Sequence, residues 1–341
     1  MGFTHLHVHS CYSILDSVST PLDVCLAARS ISSLAIAITD HDNINVWPYL
    51  LDAAKQTCIK PILGVEFNMV NNTKYDYIPR VNNQLTGRTA FHLTAWAISD
   101  AGTYSLCSML KRRQHMPNSE IPVITWSDIA NSEDVIFGSA CSYGLVPNLI
   151  LNGKQDEALS IVGKFLDIVG KDRFYLELMA HGLSTDHVII NGLLDIHKRT
   201  GAHLLVTNDV HHLHVSEVLI RNLLVGVRTN GKFWGIQNTG DLLLMESPDV
   251  LKQRLSGIPE EAWTNTQRIV DAVHYWHPCI MNTTLRKVGI DRANHWIEWA
   301  RTVRPDIVEQ LPADAAQRIA QMPIDEQSLS VIQCQLSNNS F

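Results

Sequence analysis

The chain has 341 residues and a formal net charge of −7, with 45% hydrophobic and 18% charged residues. That is enough chain for a substantial core, in one large α/β domain or two ordinary ones. The acidic balance excludes a large, indiscriminate DNA-binding surface but not a site that grips one nucleic-acid end.

Short β-branched runs alternate with longer amphipathic stretches over the first two thirds. The strand-like runs are 3–9, 34–39, 61–67, 92–98, 135–139, 174–178 and 203–207. Helical spacing is predicted over 21–29, after the cap signal Ser19-Thr20, and over 46–56, 155–169 and 186–199. This order reads as a parallel sheet, either a barrel or an open one. Residues 71–88 are polar and turn-rich, a loop or hairpin between two strands, and 232–240 reads as another loop. After Pro278 the pattern changes, and 284–303, with Trp296 and Trp299, and 314–322 are predicted as helices. Seven cysteines, never spaced Cys-x-x-Cys, argue against a disulfide scaffold or a zinc ribbon. No apolar run is long enough to span a bilayer and no basic segment leads into an apolar one near the start, so no membrane partner is expected and the cytoplasm is the expected location.

Sixteen histidines are the compositional outlier. Several stand at strand ends beside carboxylates, where active sites of parallel α/β proteins gather. His7 and His9 share a strand face, because residues i and i+2 point the same way, and imidazole suits zinc, iron and manganese. Alone, the pair reads equally as a half-buried strand, and Asp16 as a turn residue. Asp40 and His41 close the second strand. Glu66 ends an apolar run, where a carboxylate needs a cation or an arginine beside it. His92 opens another strand, Cys141 follows 135–140, and Asp209 and His211 repeat the same-side spacing. Together these donors exceed what one ion needs and suggest a multinuclear site.

The ordered motifs His5–Asp16, Ala37–Asn43, Ile59–Phe67, His92–Ala97, Ser139–Cys141, Phe174–Leu178 and Val206–His211 resemble the PHP (polymerase and histidinol phosphatase) domain at the N-terminus of bacterial DNA polymerase III alpha subunits. The likeness covers roughly residues 3–275. It implies a distorted (β/α)7 barrel of seven parallel strands over residues 1–277, with a small helical C-terminal extension over 278–341. The metal ligands it implies are His7, His9, Asp16, His41, Glu66, His92, Cys141, Asp209 and His211. His7, His9, Glu66 and Asp209 would hold one ion, Glu66 with His92 and Cys141 a second, and Asp16, His41 and His211 a third, the ions being zinc, manganese, iron or magnesium. Asp42, where the family often has glycine, is expected to add negative charge near the third ion.

The chemistry so implied is phosphoester hydrolysis by a metal-activated hydroxide, with Asp40 or His211 as proton-transfer groups and Arg80 and Arg88 as phosphate contacts. The leading expectation is a 3′→5′ exonuclease on DNA in replication or proofreading. The alternatives are a phosphomonoesterase for a nucleotide or small metabolite, and a metal-stabilised scaffold for replication proteins.

Overall fold

A computed structural model describes residues 3–71, 90–113, 122–228 and 245–275, with a few further positions between 286 and 324. One sheet of six strands runs in chain order: β1 (Ala35–Ile38), β2 (Lys60–Met69), β3 (Phe91–Ala97), β4 (Val135–Gly138), β5 (Phe174–Leu178) and β6 (His203–Val206). The helices are α1 (Pro21–Ser30), α2 (Trp47–Thr57), α3 (Asp100–Arg113), α4 (Trp126–Ala130), α5 (Leu145–Leu151), α6 (Gln155–Val169), α7 (Asp186–Thr200), α8 (Glu217–Arg228), α9 (Pro248–Arg254) and α10 (Glu261–Ala272). Local chemistry sets their ends. Thr20 and Asp23 form a reciprocal capping box at the start of α1, with Pro21 in its first turn. Helix α7 stops at Gly201, whose φ of 71° suits glycine.

β1 pairs parallel with β2, and β4, β5 and β6 pair parallel in succession, but β3 runs antiparallel to both β2 and β4. This corrects the expectation of an all-parallel sheet. Antiparallel neighbours need no crossover helix, which agrees with the polar connection read between the runs at 61–67 and 92–98. Most of that connection, residues 72–89, lies outside the described residues.

The expected first strand is an extended segment that stitches the edges of the sheet together. On one side Ala37 N donates to His5 O (3.2 Å) and Thr39 N to Val8 O (2.8 Å). On the other, Val210 N donates to His7 O (3.0 Å) and His9 N to Val210 O (2.7 Å). The segment thus lies between β1 and the chain leaving β6, and the sheet curls into a half-barrel.

Strand alternation divides the side chains between two environments. Ile36, Ile38, Leu63, Val65, Phe67, Val135, Phe137, Phe174, Leu176, Leu204 and Val206 belong to the large core shared with the helices. The opposite parity faces the inside of the curl. Near one edge it is apolar: Ala35, Ala37, Ile62, Trp96, Ile136, Tyr175 and Leu205 pack with Ile269 and Val270 of α10. Tyr275 extends this floor, its hydroxyl donating to Ala97 O (2.6 Å). Toward the other edge the same parity carries Glu66, Thr94, His92, Gly138 and Glu177.

Gly138 shows how tight the inner wall is. A Cβ there would lie 2.3 Å from Glu177 Oε1, 2.3 Å from Thr94 Oγ1 and 2.7 Å from the Trp96 ring. Gly138→Ala is expected to cost about 1–3 kcal/mol through overpacking. Urea denaturation checks this, and an unchanged midpoint would count against the tight fit.

Beyond residue 275, Val308 and Ala315 are buried in the main core, and Arg318 pairs with Glu217 of α8 (2.8 Å). Two short strands, β7 (Arg286–Lys287) and β8 (Pro323–Ile324), pair antiparallel. Most of the expected C-terminal helices, with Trp296 and Trp299, lies outside the described residues, as do Arg80, Arg88 and the 232–240 loop. Among the described residues no helix is long and apolar enough to cross a membrane.

Candidate metal centre

The polar end of the inner wall gathers its side chains from strand ends and from the N-terminal segment. His7 and His9 come from that segment, His41 from the turn after β1, and Asp209 and His211 from the chain after β6. Glu66 lies inside β2, which continues to Met69 and does not end there as expected. β1 ends alongside, and His41 bridges to Glu66. His92 stands near the start of β3. Because β3 runs backwards, its beginning lies on the same edge as the ends of its neighbours, with His92 opposite Asn68 and bridged to Gly144. Strand reversal is thus what brings His92 and Cys141 together, with Sγ 3.7 Å from Nδ1.

The distances describe one continuous cluster. His7 Nε2 is 3.3 Å from Glu66 Oε1 and 3.1 Å from Asp209 Oδ1. His9 Nε2 is 3.4 Å from Glu66 Oε2 and 3.2 Å from Asp209 Oδ1. On the far side of Glu66, His41 Nδ1 lies 2.7 Å from Oε2 and His92 Nδ1 2.9 Å from Oε1. Three sets offer donor atoms within 4.8 Å of one another: His7, His9, Glu66 and Asp209; His41, Glu66 and His92; and His9, His41 and His211.

Hydrogen bonds around the cluster fix how the imidazoles present themselves. His7 Nδ1–H donates to Glu177 Oε2 (3.1 Å). His9 Nδ1–H donates to Ser13 Oγ (2.8 Å), which in turn donates to Asp40 Oδ1 (2.6 Å). His211 Nδ1–H donates to Asp209 O (2.8 Å). In each case Nε2 is left to face the cluster, the arrangement expected where a second hydrogen bond sets the tautomer of a metal-binding imidazole. Five atoms inside the cluster are buried without a hydrogen-bond partner: His7 Nε2, His9 Nε2, both Glu66 oxygens and Asp209 Oδ1. Buried acceptors left in this way are costly unless a cation meets them. A donor set of imidazole nitrogens and carboxylate oxygens fits a divalent transition metal.

Charge coupling tells the same story. Burial would raise the Glu66 and Asp209 pKa values, but neighbouring imidazoles hold both well below the ordinary carboxylate range: His92, His7 and His41 for Glu66, and His7 and His211 for Asp209. Burial opposes the charged form of His41, yet Glu66 and Asp16 push its pKa up to about 10. Cys141 is pushed well above the usual thiol value by burial and by Asp209 and Glu66.

Several residues sit elsewhere than expected. Asp40 is fully buried behind His9 and accepts from Ser10 N (2.7 Å), Ser10 Oγ (2.6 Å) and Ser13 Oγ (2.6 Å), so it reaches His9 only through Ser13. Asp42 does not point its charge at the cluster but accepts from Asn68 Nδ2 (2.6 Å) and N (3.2 Å). Its φ of 50° lies in the left-handed region that favours glycine. His5 turns away, its Nε2 donating to Glu246 O (2.8 Å), and burial lowers its pKa to about 4. Three contributors were not read from the sequence. Glu177 is buried and accepts from Ala140 N (2.8 Å), Thr207 Oγ1 (2.8 Å), Thr94 Oγ1 and His7, and a glutamate inside the apolar run Phe-Tyr-Leu-Glu-Leu is the signal that marks it. The other two are Arg221 and Arg228 of α8. They pair with Asp16 at 2.8 and 2.7 Å and, together with the His211 ring, hold its pKa well below the ordinary carboxylate range against the effect of burial.

Comparison with known proteins matches residues 5–181 to the PHP domain. Among curated relatives, the DNA polymerase III alpha subunit of Borreliella burgdorferi is 30% identical over 79% of this chain, and that of Treponema pallidum 29% over 67%. The aligned stretches span only 23% and 19% of those relatives. A solved amidohydrolase from Chromobacterium violaceum matches 62% of this chain and 88% of its own at 16% identity, with a TM-score of 0.39. The family match covers the His7–His9 segment, the half-barrel through β5, and Glu66, His92 and Cys141, and the chain therefore belongs to the PHP domain family.

Proposed function

We propose that this chain is a metal-dependent phosphoester hydrolase acting on DNA 3′ ends, a 3′→5′ exonuclease in a replication or proofreading setting. The observation that carries the hydrolase reading is the convergence of five buried, unpartnered donor atoms from His7, His9, Glu66 and Asp209. These four side chains would hold one ion, and Glu66 with His92, His41 and Cys141 a second. Divalent ions there would supply a nucleophile from water near neutral pH and positive charge against phosphoryl oxygens. The chain's own part is to hold His7 and His9 in the tautomer that leaves Nε2 facing the cluster, through Glu177, Ser13 and Asp40, and to bury the carboxylates away from competing water. The DNA reading draws support from the polymerase alpha subunits among the relatives. Replication proteins are the partners it implies.

The test is hydrolysis by metal-loaded protein of 3′-labelled and 5′-labelled single-stranded DNA and of a chromogenic phosphomonoester. The expected result is stepwise shortening from the 3′ end, reduced at least about 100-fold in His9→Ala, since a group holding the charge-stabilising centre acts mainly in the transition state. Turnover of the monoester without DNA shortening would replace the exonuclease with a phosphomonoesterase. Bound metal with neither activity would leave a scaffold.

A further inference from the structure

We propose that Arg221 and Arg228 take the place of a third cation in this centre, so that the chain loads two ions where its donor inventory suggests three. The inference rests on the reading of the cluster as a metal centre.

The third ion implied by the resemblance would need Asp16, His41 and His211. The structure does bring these three together, with Asp16 Oδ2 3.4 Å from His41 Nε2 and 3.7 Å from His211 Nε2. It also sets two arginines against the carboxylate. Arg221 Nη2 lies 2.8 Å from Asp16 Oδ1, and Arg228 Nη1 lies 2.7 Å from Oδ2, the same oxygen that faces the imidazoles. Arg221 holds the residue at a second point, its Nε donating to Asp16 O at 3.1 Å.

The placement follows from the helix. Positions 221 and 228 are seven residues apart, close to two full turns, so both side chains leave α8 on one face. Glu217, one turn before Arg221, anchors the same face by accepting from Leu213 N (2.6 Å) and from Ser19 Oγ (3.3 Å) in the loop that carries Asp16. The helix and the loop are thus fastened to each other one turn before the pair as well as through it.

Arginine keeps its charge at any working pH, and its planar fork suits a carboxylate. Two guanidinium groups around one carboxylate leave a net positive charge beside His41 and His211. That charge repels a divalent ion approaching Asp16, and it offers a fixed positive wall to the oxygens of a phosphoester held by the other ions. Here the third charge comes from the chain itself and does not depend on metal supply.

The experiment is metal content per chain by elemental analysis after loading with Mn²⁺ and desalting, on wild type, Asp16→Ala, Arg228→Ala, Arg228→Lys and Arg221→Ala/Arg228→Ala, each checked for folding by circular dichroism. Two ions are expected in wild type, with Asp16→Ala and Arg228→Lys unchanged. Removing the guanidinium groups is expected to raise the content to three. Arg228 is the more exposed of the pair, so its variant serves if the double variant does not fold. Three ions in wild type and two in Asp16→Ala would overturn the proposal while leaving the metal centre intact. No ion in wild type would overturn the reading of the cluster as a metal centre, and this proposal with it.

Discussion

Glu177→Gln is expected to destabilise the protein by about 2–5 kcal/mol and to weaken metal binding about 10–100-fold. The reason is a count of protons. Four donors converge on this carboxylate: His7 Nδ1, Thr94 Oγ1, Ala140 N and Thr207 Oγ1. A carboxylate is an acceptor only and has room for all four, whereas an amide presents an NH₂ to at least one of them. A buried donor without an acceptor costs about 1–3 kcal/mol, and the site is too tight to relax, as Gly138 shows. The second loss is orientation, because His7 would no longer be held with Nε2 toward Glu66 and Asp209. Urea denaturation of the metal-free protein reads the first effect, and competition with a chromophoric chelator reads the second. A folded variant with wild-type metal affinity would remove Glu177 from the support of the centre.

Stripping the ions is expected to change both the stability and the sign of its pH dependence. At free metal 1,000 times Kd, bound ions add about 4 kcal/mol per site, and a chelator removes it. In the stripped protein the charges must compensate one another. Glu66 and Asp209 have depressed pKa values, so their contribution is present above the unfolded carboxylate value near 4 and is lost as pH falls. His41 is raised to about 10, so its contribution is complete below the unfolded value near 6.5 and is lost as pH rises toward 10. The stripped protein is therefore expected to lose stability between about pH 6.5 and 10. The loaded protein should gain it over the lower part of that range, because protons and metal compete for the same nitrogens. Scanning calorimetry at several pH values, with and without chelator, reads both slopes. Coincident curves would mean that no ion binds the cluster.

Much of the frame was legible because strands and amphipathic helices announce themselves by period. β5 and α6 match their predicted runs to the residue, and β2 and β6 differ only at their ends. The candidate ligands were legible because a charged or imidazole side chain next to an apolar run is conspicuous. What escaped depended on partners far apart in sequence. The reversal of β3 is a matter of pairing, which periodicity does not encode. Helix α8 escaped although Val218, Ile220, Leu223, Leu224 and Val227 recur at helical spacing, because no conspicuous donor at a strand end marks Glu217–Arg228, and with it went Arg221 and Arg228. Glu177 was hidden by its strand, which satisfied the expectation of a buried run so well that the one charge in it drew no attention.

The division of the inner wall carries a consequence for how such a chain can change over time. At positions 35, 62, 96, 136, 175 and 205 the strands contribute apolar bulk against α10, and that half packs the floor of the curl. At 66, 92, 94 and 177 the same strands, two or four residues along, contribute heteroatoms. Packing and reactivity are thus inherited on separate stretches of the same strands. Substitutions at the rim would change the donor set without removing the floor's packing, whereas a change at Trp96 or Tyr175 would remove bulk on which the floor is built. A lineage of such chains can therefore keep its architecture long after its chemistry has diverged, and outward shape alone is a poor guide to whether a given member still turns over substrate.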